Sequence, residues 1–132
     1  MHEIYFVHDQ QESPAPRKRF LELSGFRVTL FESGTELLTA LSEHKPDLIL
    51  MDVLLPGPHG FDVCRLIRHQ YDAAELPVIL TSDVYRSRAY RDEASACGAQ
   101  AYLLRPIDLA DLVAETAKAI EVAHGATTPP RA

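Results

Sequence analysis

The sequence predicts an α/β fold in which a doubly wound, five-stranded parallel sheet is covered by helices on both sides. Five short apolar runs are bounded by turn signals, amphipathic stretches alternate with them, and the connections between them are short. Apolar runs of about four to eight residues suit strands buried on both faces, as the strands of a parallel sheet are. The expected order of elements is therefore a strand followed by a helix, repeated five times.

Length and composition restrict the chain to one ordinary domain. Its 132 residues are 46% hydrophobic and 24% charged, close to globular averages, which argues against disorder. With 19 acidic and 13 basic residues the formal net charge is −6, so we do not expect this domain alone to bind nucleic acid. No apolar run approaches the roughly 20 residues of a membrane helix. No secretory signal opens the sequence, so we expect a cytoplasmic domain without membrane contact.

The apolar runs locate the five strands, and stripes at helical spacing locate helices between them. The strands are expected at residues 4–7, 28–31, 48–51, 77–80 and 102–104. The stripes comprise Leu37, Leu38 and Leu41, then Val63, Cys64 and Ile67, and finally Leu109, Leu112, Val113 and Ile120.

The first and fourth helices are marked less clearly than the others, and the domain is expected to end before the last eight residues. Pro14 and Pro16 are tolerated only in a first turn, so the first helix is expected to begin near Ser13 and to end at Gly25. Segment 86–97 has the weakest apolar stripe. Residues 1–124 are expected to form the domain, and residues 125–132 a flexible tail or the start of a linker.

Polar residues follow four of the predicted strands. Asp9 comes after the first strand, Asp52 after the third, Thr81 after the fourth and Arg105 after the fifth. Because the carboxyl ends of parallel strands meet at one edge, we expect these side chains to converge. Taken singly, each has a simpler interpretation, since Asp9 and Thr81 are typical helix caps and Arg105 could be a solvated charge. Together they suit a phosphoryl group, with a carboxylate available as nucleophile.

The segment DLILMDVLLPGPHG, from Asp47 to Gly60, resembles the response-regulator receiver family, whose domains have a chemotaxis-type, flavodoxin-like fold. Further landmarks in register are Asp9, Thr81, Gly98-Ala99 and the run from Tyr102 to Pro106. The resemblance covers about residues 3–122. It implies a (βα)5 receiver fold with strand order 2-1-3-4-5.

The resemblance also implies roles for individual residues. Asp52 matches the phosphoacceptor, and Asp9, Asp52 and the carbonyl of Leu54 match the ligands of a Mg²⁺ cofactor. Thr81 matches the hydroxyl that meets the phosphoryl group, and Arg105 stands where the family has lysine. The catalytic set is therefore Asp52, Thr81 and Arg105.

A second group of residues matches the family's switch. Thr81 and Tyr102 match the hydroxyl and the aromatic ring that move together, and Pro106 matches the proline that often follows a cis peptide bond. The face formed by the fourth helix, fifth strand and fifth helix is then the output surface.

Three features depart from the family pattern. His8 replaces the first of two consecutive acids, which predicts a weakened Mg²⁺ site. Arg105 is planar and can bind in bidentate fashion, so it either clamps unmodified Asp52 or waits for the phosphoryl oxygens. The stretch between Thr81 and Arg105 is about two residues longer than usual, within Asp83–Arg91, where tyrosines and arginines interleave. A partner-docking loop or a solvated helix face is expected there rather than a nucleic-acid stacking surface.

The leading prediction is a two-component receiver domain, a signalling switch and not a metabolic enzyme. Its partners would be a sensor histidine kinase or phosphotransfer protein and a downstream effector, and a homodimer is compatible with the sequence. The alternative is a pseudo-receiver, a protein-binding module that does not depend on phosphorylation, which His8 and Arg105 favour. A dehalogenase-type phosphatase would need an acid at Leu54. A flavin protein would need a phosphate loop in place of the sequence after Asp9.

Overall fold

The computed structural model describes residues 1–83 and 87–127, with side chains as far as Ala123. Strands and helices alternate along these residues. The strands are β1 (Glu3–Val7), β2 (Arg27–Phe31), β3 (Leu48–Asp52), β4 (Val78–Ser82) and β5 (Ala101–Leu104). The helices are α1 (Ala15–Leu23), α2 (Gly34–Leu41), α3 (Gly60–Gln70), α4 (Arg88–Ala96) and α5 (Leu109–Thr127).

The five strands form one parallel sheet in the order β2-β1-β3-β4-β5, which confirms the predicted fold class and strand order. The chain runs to one side of β1 for β2 and to the other side for β3. This reversal opens a crevice beyond the carboxyl ends of β1 and β3, the position where sheets of this kind bind ligands. Asp52 at the end of β3 lies directly beside Thr81 of β4 in the register of the sheet.

Two apolar layers, one on each face of the sheet, hold the helices in place. Successive residues of a strand point to opposite faces, so Ile4 and Phe6 enter one layer while Tyr5 and Val7 enter the other. Helices α2, α3 and α4 cover the second layer, and α1 and α5 cover the first. Both faces of the central strands are therefore buried, which explains the apolar runs within them.

The ends of several elements differ from the sequence-based expectation. Helix α1 is shorter than predicted, because Pro14 forms its N-cap and the backbone of Gly25, with a φ of 100°, already belongs to the turn after it. Helix α5 continues to Thr127, so Gly125–Thr127, which we expected in the tail, are helical. The remainder of the predicted tail, 128–132, lies outside the described residues. No helix within residues 1–83 and 87–127 is long and apolar enough to cross a membrane.

Gly60, the first residue of α3, lies against the end of β3. A Cβ atom built on Gly60 would be 2.7 Å from the Cα of Val53 and 2.9 Å from the carbonyl oxygen of Asp52. These are backbone atoms that the sheet holds, since the N–H of Val53 donates to the carbonyl of Thr81 at 2.9 Å. Gly60 therefore lets α3 begin close beneath the residue that ends β3.

We expect Gly60→Ala to lower the free energy of unfolding by about 1–3 kcal/mol, because the added methyl group meets fixed backbone. The loss should occur although alanine favours a helix by up to about 1 kcal/mol over glycine. Urea unfolding measures the change, and Ser95→Ala on the exposed side of α4 is the control. Equal stability of the two variants would contradict the close approach.

Candidate functional site

Four polar side chains that the sequence predicted to converge do lie together at the carboxyl edge of the sheet. Asp9 follows β1, Asp52 ends β3, Thr81 lies in β4 and Arg105 follows β5. Asp52 and Thr81 are completely buried, and Asp9 and Arg105 are only 5% and 4% exposed. We call these four residues, together with Arg17, the acid pocket.

Asp52 accepts hydrogen bonds from two groups that belong to the sheet and its edge. The hydroxyl of Thr81 donates to Oδ1 of Asp52. The backbone N–H of Asp9 donates to Oδ2 at 2.8 Å. The carboxylate is thus held by neighbours on both sides of β3.

Arg17, in the first turn of α1, is a site residue that the sequence analysis missed. Its guanidinium group donates to both oxygens of Asp52, from Nη1 to Oδ1 at 2.9 Å and from Nη2 to Oδ2 at 3.3 Å. The guanidinium carbon lies 4.5 Å from the centre of the Phe6 ring, and the side chain is almost wholly buried. Arg17 and Leu21 are the buried residues of α1, and this i, i+4 spacing is the signal that could have revealed it.

Arg105 is engaged with the carboxylates at the mouth of the pocket. Its Nη2 donates to Oδ2 of Asp9 at 2.7 Å and lies 3.5 Å from Oδ1 of Asp83, while Nη1 donates to Glu12. Burial alone lowers the pKa of Arg105, but the charges of Asp52, Asp9 and Asp83 outweigh it and raise the pKa.

The guanidinium clamp on Asp52, one of two geometries expected for Arg105, is made by Arg17 instead. The peptide bond between Arg105 and Pro106 is cis, as the resemblance implied.

Asp9 is stabilised in its charged form. Burial raises the pKa of Asp9, but the opposing effects are larger, so the pKa is lowered on balance. These effects are the hydrogen bond and charge of Arg105 and the hydrogen bonds from the N–H groups of Gln11 and Glu12. Those two N–H groups donate to Oδ1 at 3.0 and 3.2 Å.

His8 occupies the position of the missing acid and is buried. Its Nδ1 lies 3.0 Å from the carbonyl oxygen of Asp9, to which it donates when the proton is on that nitrogen. Its ring packs edge-on against Phe6, with 5.9 Å between the ring centres. The imidazole therefore has backbone and aromatic partners beside the pocket.

The acid pocket as arranged does not fit a divalent cation. Each oxygen of Asp52 accepts from Arg17, and in Asp9 one oxygen accepts from Arg105 and the other from two backbone N–H groups. Leu54, whose carbonyl was the third predicted ligand, lies half-buried in the loop after β3. Within the described ranges, no group of three or more His, Cys, Asp or Glu is suited to a metal ion. The predicted Mg²⁺ ligands therefore remain a prediction from the resemblance.

Tyr102, the predicted aromatic switch, is half-buried on β5. Its ring centre lies 6.1 Å from that of Phe61 on α3, and Phe61 in turn stacks on Tyr90 of α4 at 6.4 Å. An aromatic row thus connects β5 with α3 and α4. The sequence Asp83–Arg91, which is longer than the family pattern, is described only in part. Tyr85 and Arg86 lie outside the described residues, and Arg88, Tyr90 and Arg91 are exposed on α4.

Comparison with known families agrees with this geometry. Residues 4–117 match the family model of the response regulator receiver domain. The chain belongs to this family. Receiver domains of this family are components of two-component systems, which confirms the resemblance inferred from the segment around Asp52.

Individual relatives are similar to this receiver domain over most of its length. The phosphate regulon transcriptional regulatory protein PhoB of Rhizobium meliloti is 31% identical over 111 residues, which are 84% of this chain and 48% of PhoB. The DNA-binding response regulator MtrA of Mycobacterium leprae is 38% identical over 90 residues, 68% of this chain and 38% of MtrA. The chain thus spans half or less of the length of these curated relatives.

Solved structures show the same fold. A CheY-like receiver domain protein from Methanospirillum hungatei has a TM-score of 0.86 at 21% identity, covering 95% of this chain and 98% of that one. The receiver domain of the sensor histidine kinase PA1611 from Pseudomonas aeruginosa has a TM-score of 0.80 at 28% identity, covering 91% and 98%. The PA1611 structure holds a magnesium ion in its active-site cleft.

The ion pair between Asp9 and Arg105 should give this receiver domain a characteristic acid sensitivity. Because the pKa of Asp9 is lowered on folding, the folded state binds fewer protons than the unfolded state. The stabilisation is complete above about pH 4 and is lost as the pH falls through the lowered pKa. Asp9→Asn should therefore lower the free energy of unfolding at neutral pH by about 1–3 kcal/mol and flatten the acid part of its pH profile.

Urea unfolding between about pH 3 and 7, without divalent cations, measures this profile. Asp92→Asn, an exposed acid of α4, is the matched control and should keep the wild-type slope. Parallel profiles for Asp9→Asn and the wild type would contradict the stabilising role of the pair.

Proposed function

We propose that this receiver domain accepts a phosphoryl group on Asp52 from a sensor histidine kinase or a phosphotransfer protein. The observation that carries the proposal is the placement of Asp52, fixed at the end of β3 beside the hydroxyl of Thr81, with the buried guanidinium groups of Arg17 and Arg105 in the same pocket. A carboxylate is the nucleophile that such a transfer needs, and the hydroxyl and cations suit the oxygens of the incoming group.

The transfer requires only one covalent exchange. An oxygen of Asp52 attacks phosphorus, the new O–P bond forms as the N–P bond of the phosphohistidine breaks, and the imidazole nitrogen leaves with the electron pair. The hydroxyl of Thr81, which donates to Oδ1 of unmodified Asp52, would then donate to a phosphoryl oxygen. Arg105, whose charge faces the same pocket, would attract the phosphoryl group electrostatically.

The response would reach the surface through Tyr102. Movement of Thr81 toward the phosphoryl group would leave space behind its side chain in β4. Tyr102 lies in the neighbouring strand β5, so its ring could turn into this space. The ring is half-buried, so an inward turn would change the face formed by α4, β5 and α5. We propose that a downstream effector protein or domain binds this face.

A pseudo-receiver is the second candidate, and the two buried ion pairs favour it. Asp52 is paired with Arg17, and Asp9 is paired with Arg105, so neither carboxylate is free in the arrangement described. In this case the α4-β5-α5 face would bind its partner whether or not a phosphoryl group is present.

Phosphorylation of Asp52 is the first test. Incubation with phosphoramidate, with and without Mg²⁺, should add the mass of one phosphoryl group to the wild type and to Asp92→Asn. Asp52→Asn should add none, because its amide is not a nucleophile for phosphorus. Intact-protein mass spectrometry followed by peptide mapping gives the site. The absence of any adduct on the wild type at saturating donor would favour the pseudo-receiver.

The response of β5 can be followed separately because the chain contains no tryptophan. Tyr102→Trp provides a single reporter, and its fluorescence should shift on phosphorylation as the ring becomes more buried. The same reporter in an Asp52→Asn background should not respond to the donor. A signal that is unchanged while mass spectrometry shows full phosphorylation would contradict the proposed switch at Tyr102.

A further inference from the structure

The charges in the acid pocket balance without a metal ion. Its two buried carboxylates, Asp9 and Asp52, face two buried guanidinium groups, those of Arg17 and Arg105. Glu12 and Asp83 pair with Arg105 from the half-exposed rim. A divalent cation would therefore enter a site whose inner charges are already compensated, and it would meet two fixed positive groups.

Arg17 and Arg105 contribute to this balance in different ways. Among the described residues, Arg105 pairs with the carboxylates of Asp9, Glu12 and Asp83, whereas the ion pair of Arg17 is with Asp52. The two Nη atoms of Arg17 donate hydrogen bonds to both oxygens of Asp52, so lone pairs of the proposed nucleophile are engaged in these bonds. Phosphoryl transfer to Asp52 requires at least one of these oxygens to be released.

Arg17 makes its hydrogen bonds to Asp52 through the two terminal nitrogens of the guanidinium group. Its Nε is buried and has no hydrogen-bond partner among the described residues, so the fork is held through Asp52 and the Phe6 ring. The side chain extends from the first turn of α1, and the five residues before that helix include an exposed stretch, 10–12. Because Arg17 lies on α1 and not in the sheet, its release from Asp52 would not require separation of the strands that hold Asp52 and Thr81.

We propose that Arg17 is a positioning residue that acts as the built-in counter-ion of Asp52: it takes the charge-balancing role of a divalent metal and holds the acceptor in a resting pair. The metal and the phosphodonor then compete with Arg17 for the same two oxygens. This inference rests on the proposed function of Asp52, but its effect on metal affinity is measurable without any phosphorylation.

The experiment compares two neighbouring cations of α1. Arg17→Met removes the buried charge, while Lys18→Met makes the same chemical change at a residue whose ion pair with Glu22 lies on the surface. Calorimetric titration of each purified domain with MgCl₂ should show binding to Arg17→Met about tenfold tighter than to the wild type, with Lys18→Met unchanged. Asp52→Asn added to Arg17→Met should abolish the gain, since the gain acts through that carboxylate.

A conservative variant covers the risk that Arg17→Met does not fold, because it leaves a buried carboxylate unpaired. Arg17→Lys keeps the charge but not the bidentate fork, so its Mg²⁺ affinity should lie between those of the wild type and Arg17→Met. Circular dichroism and urea unfolding check the fold of each variant. If folded Arg17→Lys and Arg17→Met both bind Mg²⁺ no more tightly than the wild type, the proposal is wrong.

Phosphorylation rates separate this proposal from the one on which it rests. With phosphoramidate and Mg²⁺, Arg17→Met should react faster than the wild type and Lys18→Met. Tighter metal binding without phosphorylation of any variant would support the counter-ion role and overturn Asp52 as phosphoacceptor. Equal phosphorylation rates and equal metal affinities in the wild type and Arg17→Met would support the phosphoacceptor and overturn the role of Arg17.

Discussion

The buried ion pair between Arg17 and Asp52 is the constraint to which the rest of the pocket adapts. A carboxylate without any exposure needs a compensating charge, and removal of one partner from such a pair typically costs about 3–5 kcal/mol. The pair fixes the first turn of α1 against the end of β3. It leaves Arg105 to compensate Asp9, and both arginines together make the pocket neutral at its centre. The missing acid at His8 fits this balance, because a third carboxylate would again require a counter-charge.

The fold was predictable because it depends on a pattern that the sequence displays directly. Each central strand contains an uninterrupted apolar run, since both faces of the sheet are covered, and this pattern separates parallel sheets from half-solvated ones. The strand order came from the resemblance around Asp52, because apolar runs do not specify which strands are neighbours. Element ends were predicted less well. Pro14 shortened α1 from its start, and α5 continued past Gly125 because glycine is tolerated in a helix at a cost of only about 1 kcal/mol.

The site was predictable where the sheet itself positions a side chain. Asp52 and Thr81 are neighbours in the register of β3 and β4, so their meeting follows from the strand ends alone. Arg17 belongs to a helix, and whether a helical arginine points to solvent or into the core depends on how that helix packs. Arg105 has a long side chain with several carboxylates within reach. No short sequence motif indicates that it pairs with Asp9 and Glu12 rather than with Asp52.

The groups around Asp52 are therefore held in two different ways. Asp52 and Thr81 are set in adjacent strands joined by backbone hydrogen bonds, and they cannot separate without opening the ladder between β3 and β4. Arg17 reaches the pocket from α1, outside that ladder. A protein that docks over α1 and draws the arginine outward would expose the acceptor at the moment of delivery, whereas a small donor that merely diffuses in meets an occupied carboxylate. Built in this way, the domain would react slowly with a small phosphodonor at low concentration and faster with a protein donor that displaces Arg17.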